Sequence, residues 1–189
     1  AVVQFAAVRA TMATVWLADT SRGTLPAAWR SGGGASVVAV VATAGTTVRG
    51  AVDPLDAIAR ICRREEVWLH VDAAIGGVFS LWKPLAPLVE GLHQADSITV
   101  NPQKLLGITK TSSMLLLRDR SHLRKAFATG LPYMEAPCGD DHGGEVGLQG
   151  TRPAEVLKLW LGLRQLGIEG IGAVLESAIE RKAMLKRLL

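Results

Sequence analysis

"SVVAVVATAGTTVRGAVDPLDAIARICRREEVWLHVD" (Ser36 to Asp72) is the stretch from which the fold can be read. Its two ends, "SVVAVVAT" (Ser36 to Thr43) and "VWLHVD" (Val67 to Asp72), are short valine-rich runs. Runs of this kind suit strands covered on both faces, as in parallel sheets. The middle, "DPLDAIARICRREE", has helical spacing: Leu55, Ile58, Ala59 and Cys62 share one apolar face. Asp53 is the expected N-cap and Pro54 the first helical position. Strand, helix and strand with short joins make a βαβ unit, whose two strands run parallel. Strand-like runs also occur at "ATVWLA" (Ala13 to Ala18), "SITV" (Ser97 to Val100) and "SSMLLLR" (Ser112 to Arg118). From Ala154 onward the pattern is helical, with Leu157, Trp160, Leu161 and Leu163 on it, and it breaks at "GIEGIG" (Gly167 to Gly172) before a last helix. The expected fold class is α/β, a mostly parallel sheet flanked by helices.

Composition narrows the function classes. The chain has 189 residues, 49% of them hydrophobic, which excludes a disordered chain. Its net charge of +4 comes from basic residues mixed with glutamates, as in "ARICRREE" and "IERKAMLKR". No basic stripe interleaved with aromatics is present, so nucleic acid is not the expected partner. The two cysteines, Cys62 and Cys138, lack metal-ligand or CxxC spacing, which points to a reducing, cytoplasmic setting. No apolar run approaches the roughly 20 residues of a membrane span. The amino end has neither an initiator Met nor a signal-peptide pattern, and the carboxyl end stops within a helical pattern, so an interior piece of a longer chain is expected. "SGGGAS" (Ser31 to Ser36) lacks both a preceding strand and the Lys-Ser/Thr of a phosphate loop, and reads as a surface connection.

In a sheet of this kind, ligands sit beyond the carboxyl ends of the strands. Three polar groups fall there: Thr46 and Thr47 after the second run, Asp72 at the end of the third, and Lys104 in "NPQK" just past the fourth. A lysine that follows a buried strand must either reach water or serve chemistry. An amine, a carboxylate and small residues such as Ala74 together match the needs of pyridoxal 5'-phosphate. Its aldehyde takes a lysine, and its pyridine nitrogen takes a carboxylate that keeps it protonated.

The motifs "ATAGTTVRGAVDPL", "WLHVDAA", "ADSITVNPQK" and "LKLW", with Lys104 placed 32 residues after Asp72, resemble those of the group II pyridoxal-phosphate-dependent amino-acid decarboxylases. The resemblance covers nearly the whole chain and is densest from Val41 to Lys104. It implies the aspartate-aminotransferase-like, fold type I large domain, incomplete, in residues 1–155, with helices in 156–189 leading toward a small domain. It implies a Schiff-base role for Lys104, a carboxylate on the pyridine nitrogen from Asp72, ring packing by Ala74, and cofactor hydrogen bonds from Thr47 and Asn101. Gln103 departs from the common pattern, which has histidine there; an amide still donates to phosphate but carries no titrating proton.

Tyr133, in "ATGLPYM", reads from composition as a packed aromatic. The resemblance makes it the general acid that protonates the substrate after decarboxylation, in its own or the neighbouring subunit's site. Arg152 corresponds to a family arginine, with a phosphate contact and a structural ion pair as its two open roles. His70 shares strand parity with Asp72 and is expected to be structural. His93, His122 and His142 are expected in surface or loop positions, and Trp68 and Trp160 in the core. The resemblance also implies an amino-acid substrate and a homodimer with its site at the subunit boundary. A ring-stacking histidine would lie upstream of the segment 1–8. The implied reaction is decarboxylation of an L-amino acid. The alternatives are another outcome at the same site, such as aldehyde synthesis or other lyase chemistry, and a truncated, non-catalytic chain.

Overall fold

Four short strands form one sheet in the order β1-β2-β3-β4: β1 (Ala39–Thr43), β2 (Trp68–Asp72), β3 (Ser97–Val100) and β4 (Met114–Leu117). The computed structural model describes residues 37–110, 112–131 and 143–189. The expected strand at Ala13 to Ala18, the "SGGGAS" connection, Tyr133, Cys138 and His142 lie outside the described residues. β1, β2 and β3 pair in parallel, and β4 returns antiparallel against β3. The mostly parallel α/β sheet is therefore as the sequence reads.

Helix α1 (Leu55–Arg64) makes the crossover from β1 to β2. Its apolar stripe Leu55, Ile58, Ala59 and Cys62 is buried against Val40 and Ala42 of β1 and Leu69 and Val71 of β2. The period of 3.6 in the helix meets the period of 2 in the strands, so every second strand residue faces it. One expectation is corrected here. Asp53 does not cap α1; its carboxylate accepts from the Thr43 amide at 2.7 Å, while its own amide donates to the Thr43 carbonyl at 2.9 Å. Pro54 is the residue at the cap, and no side chain bonds there. Asp53 thus ties the helix entry back to the end of β1.

After β2 the chain runs through three 3₁₀ turns (Gly76–Leu81, Ala86–Val89 and Leu92–Gln94) before β3. A short helix α2 (Ser121–Phe127) follows β4, and a long helix α3 (Val156–Leu188) ends the chain. The "GIEGIG" break is present as a non-helical Gly167 within α3. A second core joins α3 to the sheet: Ile171 and Leu175 pack with Val78, Val100, Leu106 and Ile108. Close approach at this seam requires glycine. A Cβ on Gly172 would lie 2.5 Å from the Trp82 ring, whose indole N–H donates to Glu176 at 2.6 Å. Trp160 is not the core anchor expected of it. It is 56% exposed, with the Arg164 guanidinium 5.8 Å from its ring centroid.

A tighter contact joins the loops that follow β1 and β2. The Gly76 amide donates to the Ala44 carbonyl at 3.0 Å, and a Cβ on Gly76 would stand 2.5 Å from that oxygen. Gly76→Ala should therefore displace backbone rather than a side chain. A loss of about 1–3 kcal/mol is expected, read as a lower denaturant midpoint at unchanged slope.

Candidate active site

Asp72 closes β2 at the carboxyl edge of the sheet, on the face that also carries Trp68 and His70. Its register partners are Thr43 on β1 and Thr99 on β3. The side chain is exposed, while its neighbours Val71 and Ala73 are completely buried. Its Oδ1 accepts from the Ala74 amide at 3.1 Å, and its main-chain carbonyl accepts from the Ala44 amide at 2.9 Å. One carboxylate oxygen is thereby tied to the local turn, and among the described residues the other makes no hydrogen bond.

Lys104 is brought to the same edge by the turn after β3. The Asn101 amide donates to the Ala74 carbonyl at 3.2 Å, and the Lys104 amide donates to the Asn101 carbonyl at 3.0 Å. Apolar anchors on either side, Pro102, Leu106 and Ile108, are buried, and Lys104 between them is exposed. Asn101 Oδ1 accepts from the Ser113 hydroxyl at 2.7 Å. Gln103 Oε1 accepts from the Ser112 amide at 2.6 Å. A backbone N–H can only donate, so this bond fixes the Gln103 amide and leaves its NH₂ as the outward donor. The structure thus brings Asp72, Ala74, Asn101, Gln103 and Lys104 to one edge.

Thr47 stands exposed in the turn after β1. Thr46 is committed to that turn, its Oγ accepting from the Ala51 amide at 3.0 Å. The Arg152 guanidinium donates to the carbonyls of Gly143 and, at 2.8 Å, Gln149. His93 is exposed as expected. His122 lies at the surface, as expected, on α2, with its ring edge-on to Trp68, centroids 5.1 Å apart. Burial pushes the Cys62 thiol up to about 11, which makes it an inert core residue.

Sequence reading did not single out Ser97, Thr99 and Ser112. Ser97 Oγ receives the Trp68 indole N–H at 2.9 Å and meets His70 Nδ1 at 2.8 Å; Thr99 Oγ meets His70 Nε2 at 3.2 Å. The alternation of Ser and Thr in "SITV" was the available signal, because it places both hydroxyls on the His70 face. Desolvation lowers the His70 pKa, and the nearby Asp72 charge opposes this in part.

The pyridoxal-dependent decarboxylase conserved domain matches residues 28–189. The chain belongs to this family. It is 43% identical over 138 residues to a cysteine sulfinic acid decarboxylase of Rattus norvegicus, covering 70% of this chain and 28% of that protein. It is 38% identical over 161 residues to the acidic amino acid decarboxylase GADL1 of Mus musculus, covering 82% and 28%. The crystal structure of mouse CSAD superposes with a TM-score of 0.74 at 39% identity, covering 82% of this chain and 32% of the other. The chain therefore spans about a third or less of the length of these relatives. Among the described residues, no helix is long and apolar enough to cross a membrane.

The residues present fit the family's cofactor, pyridoxal phosphate. An exposed carboxylate and an exposed lysine share the edge, the small residue Ala74 accepts the Asn101 amide between them, and Gly76 packs its backbone against Ala44. Two outcomes are expected of this edge. Gln103→Ala strands the buried Ser112 amide and should cost about 1–3 kcal/mol, visible as faster amide exchange at Ser112. The lowered His70 pKa means that the unfolded chain binds the proton more readily than the folded one. Stability should then be full above the ordinary histidine value of 6.5 and fall as pH drops below it. Denaturant midpoints between about pH 7 and 5 should show this slope, and His70→Gln should flatten it.

Proposed function

We propose that the protein containing this chain decarboxylates an L-amino acid to the corresponding amine with pyridoxal phosphate. The observation that carries the reading is the placement of Lys104 and Asp72 on one sheet edge, with the Lys104 turn hydrogen-bonded to Ala74. When bound, the cofactor supplies an aldehyde for amine capture and a protonated ring that accepts the electron pair left on Cα as carbon dioxide departs. Lys104 provides the amine that holds the aldehyde until substrate replaces it. Asp72 would pair with the proton on the pyridine nitrogen and hold it in place. Ala74 leaves room for the ring, Asn101 and the Gln103 NH₂ donate toward phosphate, and Thr47 donates within the cofactor site. Tyr133 returns a proton to the substrate Cα once the Cα–carboxylate bond has broken.

The names of the relatives, cysteine sulfinic acid and acidic amino acid decarboxylases, support a short amino acid with an acidic side chain as substrate. A homodimer with the site at the subunit boundary, which rests on the family resemblance, and a cytoplasmic location, which rests on the cysteine pattern, complete the reading.

The decisive experiment traps the cofactor with borohydride and locates it by peptide mass. Label on Lys104 is expected, and Lys104→Ala should abolish it; label retained in that variant would overturn the assignment. Tyr133→Phe should keep cofactor capture while amine formation falls by about 10²–10⁴-fold, the usual contribution of a positioned proton donor. Amine release from cysteine sulfinate, aspartate and glutamate should exceed that from aromatic amino acids, and the reverse order would overturn the substrate class.

A further inference from the structure

His70 is half-buried on the polar face of β2, two residues before Asp72, and both of its ring nitrogens are engaged. Which nitrogen carries the proton follows from the neighbours. The Trp68 indole can only donate, so Ser97 Oγ is its acceptor. Ser97 is 1% exposed, and among the described residues its hydroxyl has one acceptor in reach, His70 Nδ1 at 2.8 Å. A buried hydroxyl proton is costly to leave unpaired. Ser97 therefore donates to Nδ1, and Nε2 carries the hydrogen and donates to Thr99 Oγ at 3.2 Å. Thr99 is the register partner of Asp72 and lies on the same face.

Building on the reading above, we propose that His70 is a positioning residue for Asp72, held by the Trp68–Ser97 pair as the neutral Nε2–H tautomer so that no second cation competes for the carboxylate. A protonated His70 would turn Nδ1 into a donor aimed at Ser97, whose own hydrogen would then lose its acceptor. Among the described residues, the β1 register partner of His70 is Val41, β3 offers the neutral Ser97 and Thr99, and the Asp72 charge acts on it. A charged His70 would set a second cation beside the Asp72 carboxylate, in competition with a protonated pyridine nitrogen.

The test uses the full chain labelled with ¹⁵N-histidine, with the His70 signal assigned by its loss in His70→Gln. Long-range proton–nitrogen spectra from about pH 6 to 8 should show Nε2 protonated and Nδ1 bare. Ser97→Ala should mix the tautomers and raise the His70 midpoint. Trp68→Phe, which removes the indole donor and keeps a ring, provides a second variant should Ser97→Ala fail to fold. In either variant the inflection that His70 titration imposes on the Asp72 carboxyl carbon should lie at higher pH than in the wild type. Pyridoxal phosphate capture should weaken about 3- to 10-fold at the acid end, the scale of one nearby charge at a half-exposed site, and little at the alkaline end. An Nδ1–H tautomer in the wild type, an unchanged tautomer in both variants, or an Asp72 inflection that does not move would overturn the proposal. A wild type that captures no cofactor would overturn the proposed function instead, and the Asp72 titration would still decide the role of His70.

Discussion

The contact between the loops after β1 and β2 is the constraint on which the rest of the edge depends. Asp72 receives the Ala44 amide on its carbonyl, and Ala44 in turn receives the Gly76 amide on its own. Two main chains can meet this closely only without an intervening Cβ. Gly45 adds to the seam with a φ of +92°, in the left-handed region that favours glycine. Once these loops are joined, the positions of Asp72 and Ala74 follow. The Asn101 amide then reaches the Ala74 carbonyl and sets the start of the Lys104 turn. Backbone hydrogen bonds thus chain three successive strand ends into one rigid rim. A rim of this kind is what a site requiring sub-ångström placement of an amine and a carboxylate demands.

Stability and chemistry are divided between the two faces of the sheet. On the α1 face the strands present Val40, Ala42, Leu69 and Val71, all essentially buried, and the packing is wholly apolar. On the other face β2 presents Trp68, His70 and Asp72, and β3 presents Ser97 and Thr99. A polar face of this kind contributes less by burial than an apolar one, so each group on it must be paired to avoid a desolvation cost. The Trp68–Ser97–His70–Thr99 bonds provide that pairing, and Asp72 is left at the open end.

Much of this was legible in the sequence because it depends on local periodicity. The α1 stripe and the parallel pair it joins follow from Leu55, Ile58, Ala59 and Cys62 between two valine-rich runs. The "GIEGIG" break likewise appears at Gly167. The strand-end positions of Asp72 and Lys104 follow from the run lengths. What was not legible depends on contacts distant in the chain. Asp53 has the chemistry of a helix cap, but the Thr43 amide ten residues earlier claims its carboxylate. Trp160 has helical spacing and core chemistry, yet it lies on an exposed side of α3. Arg152 is held by two backbone carbonyls that no local pattern announces. In each case the residue type limits the possible partners, and tertiary geometry chooses among them.

Gln103 shows how a departure from a family pattern can be accommodated. A histidine at this position offers one donor and one acceptor when neutral, and two donors when charged. The Ser112 amide needs an acceptor, and a charged imidazole could not supply one on both sides. A glutamine meets the same demand with its carbonyl oxygen at every pH and keeps its NH₂ pointing the other way. The substitution removes a titrating group from the rim while conserving the donor direction. The residue that precedes the lysine therefore adds no pH dependence of its own to the rim.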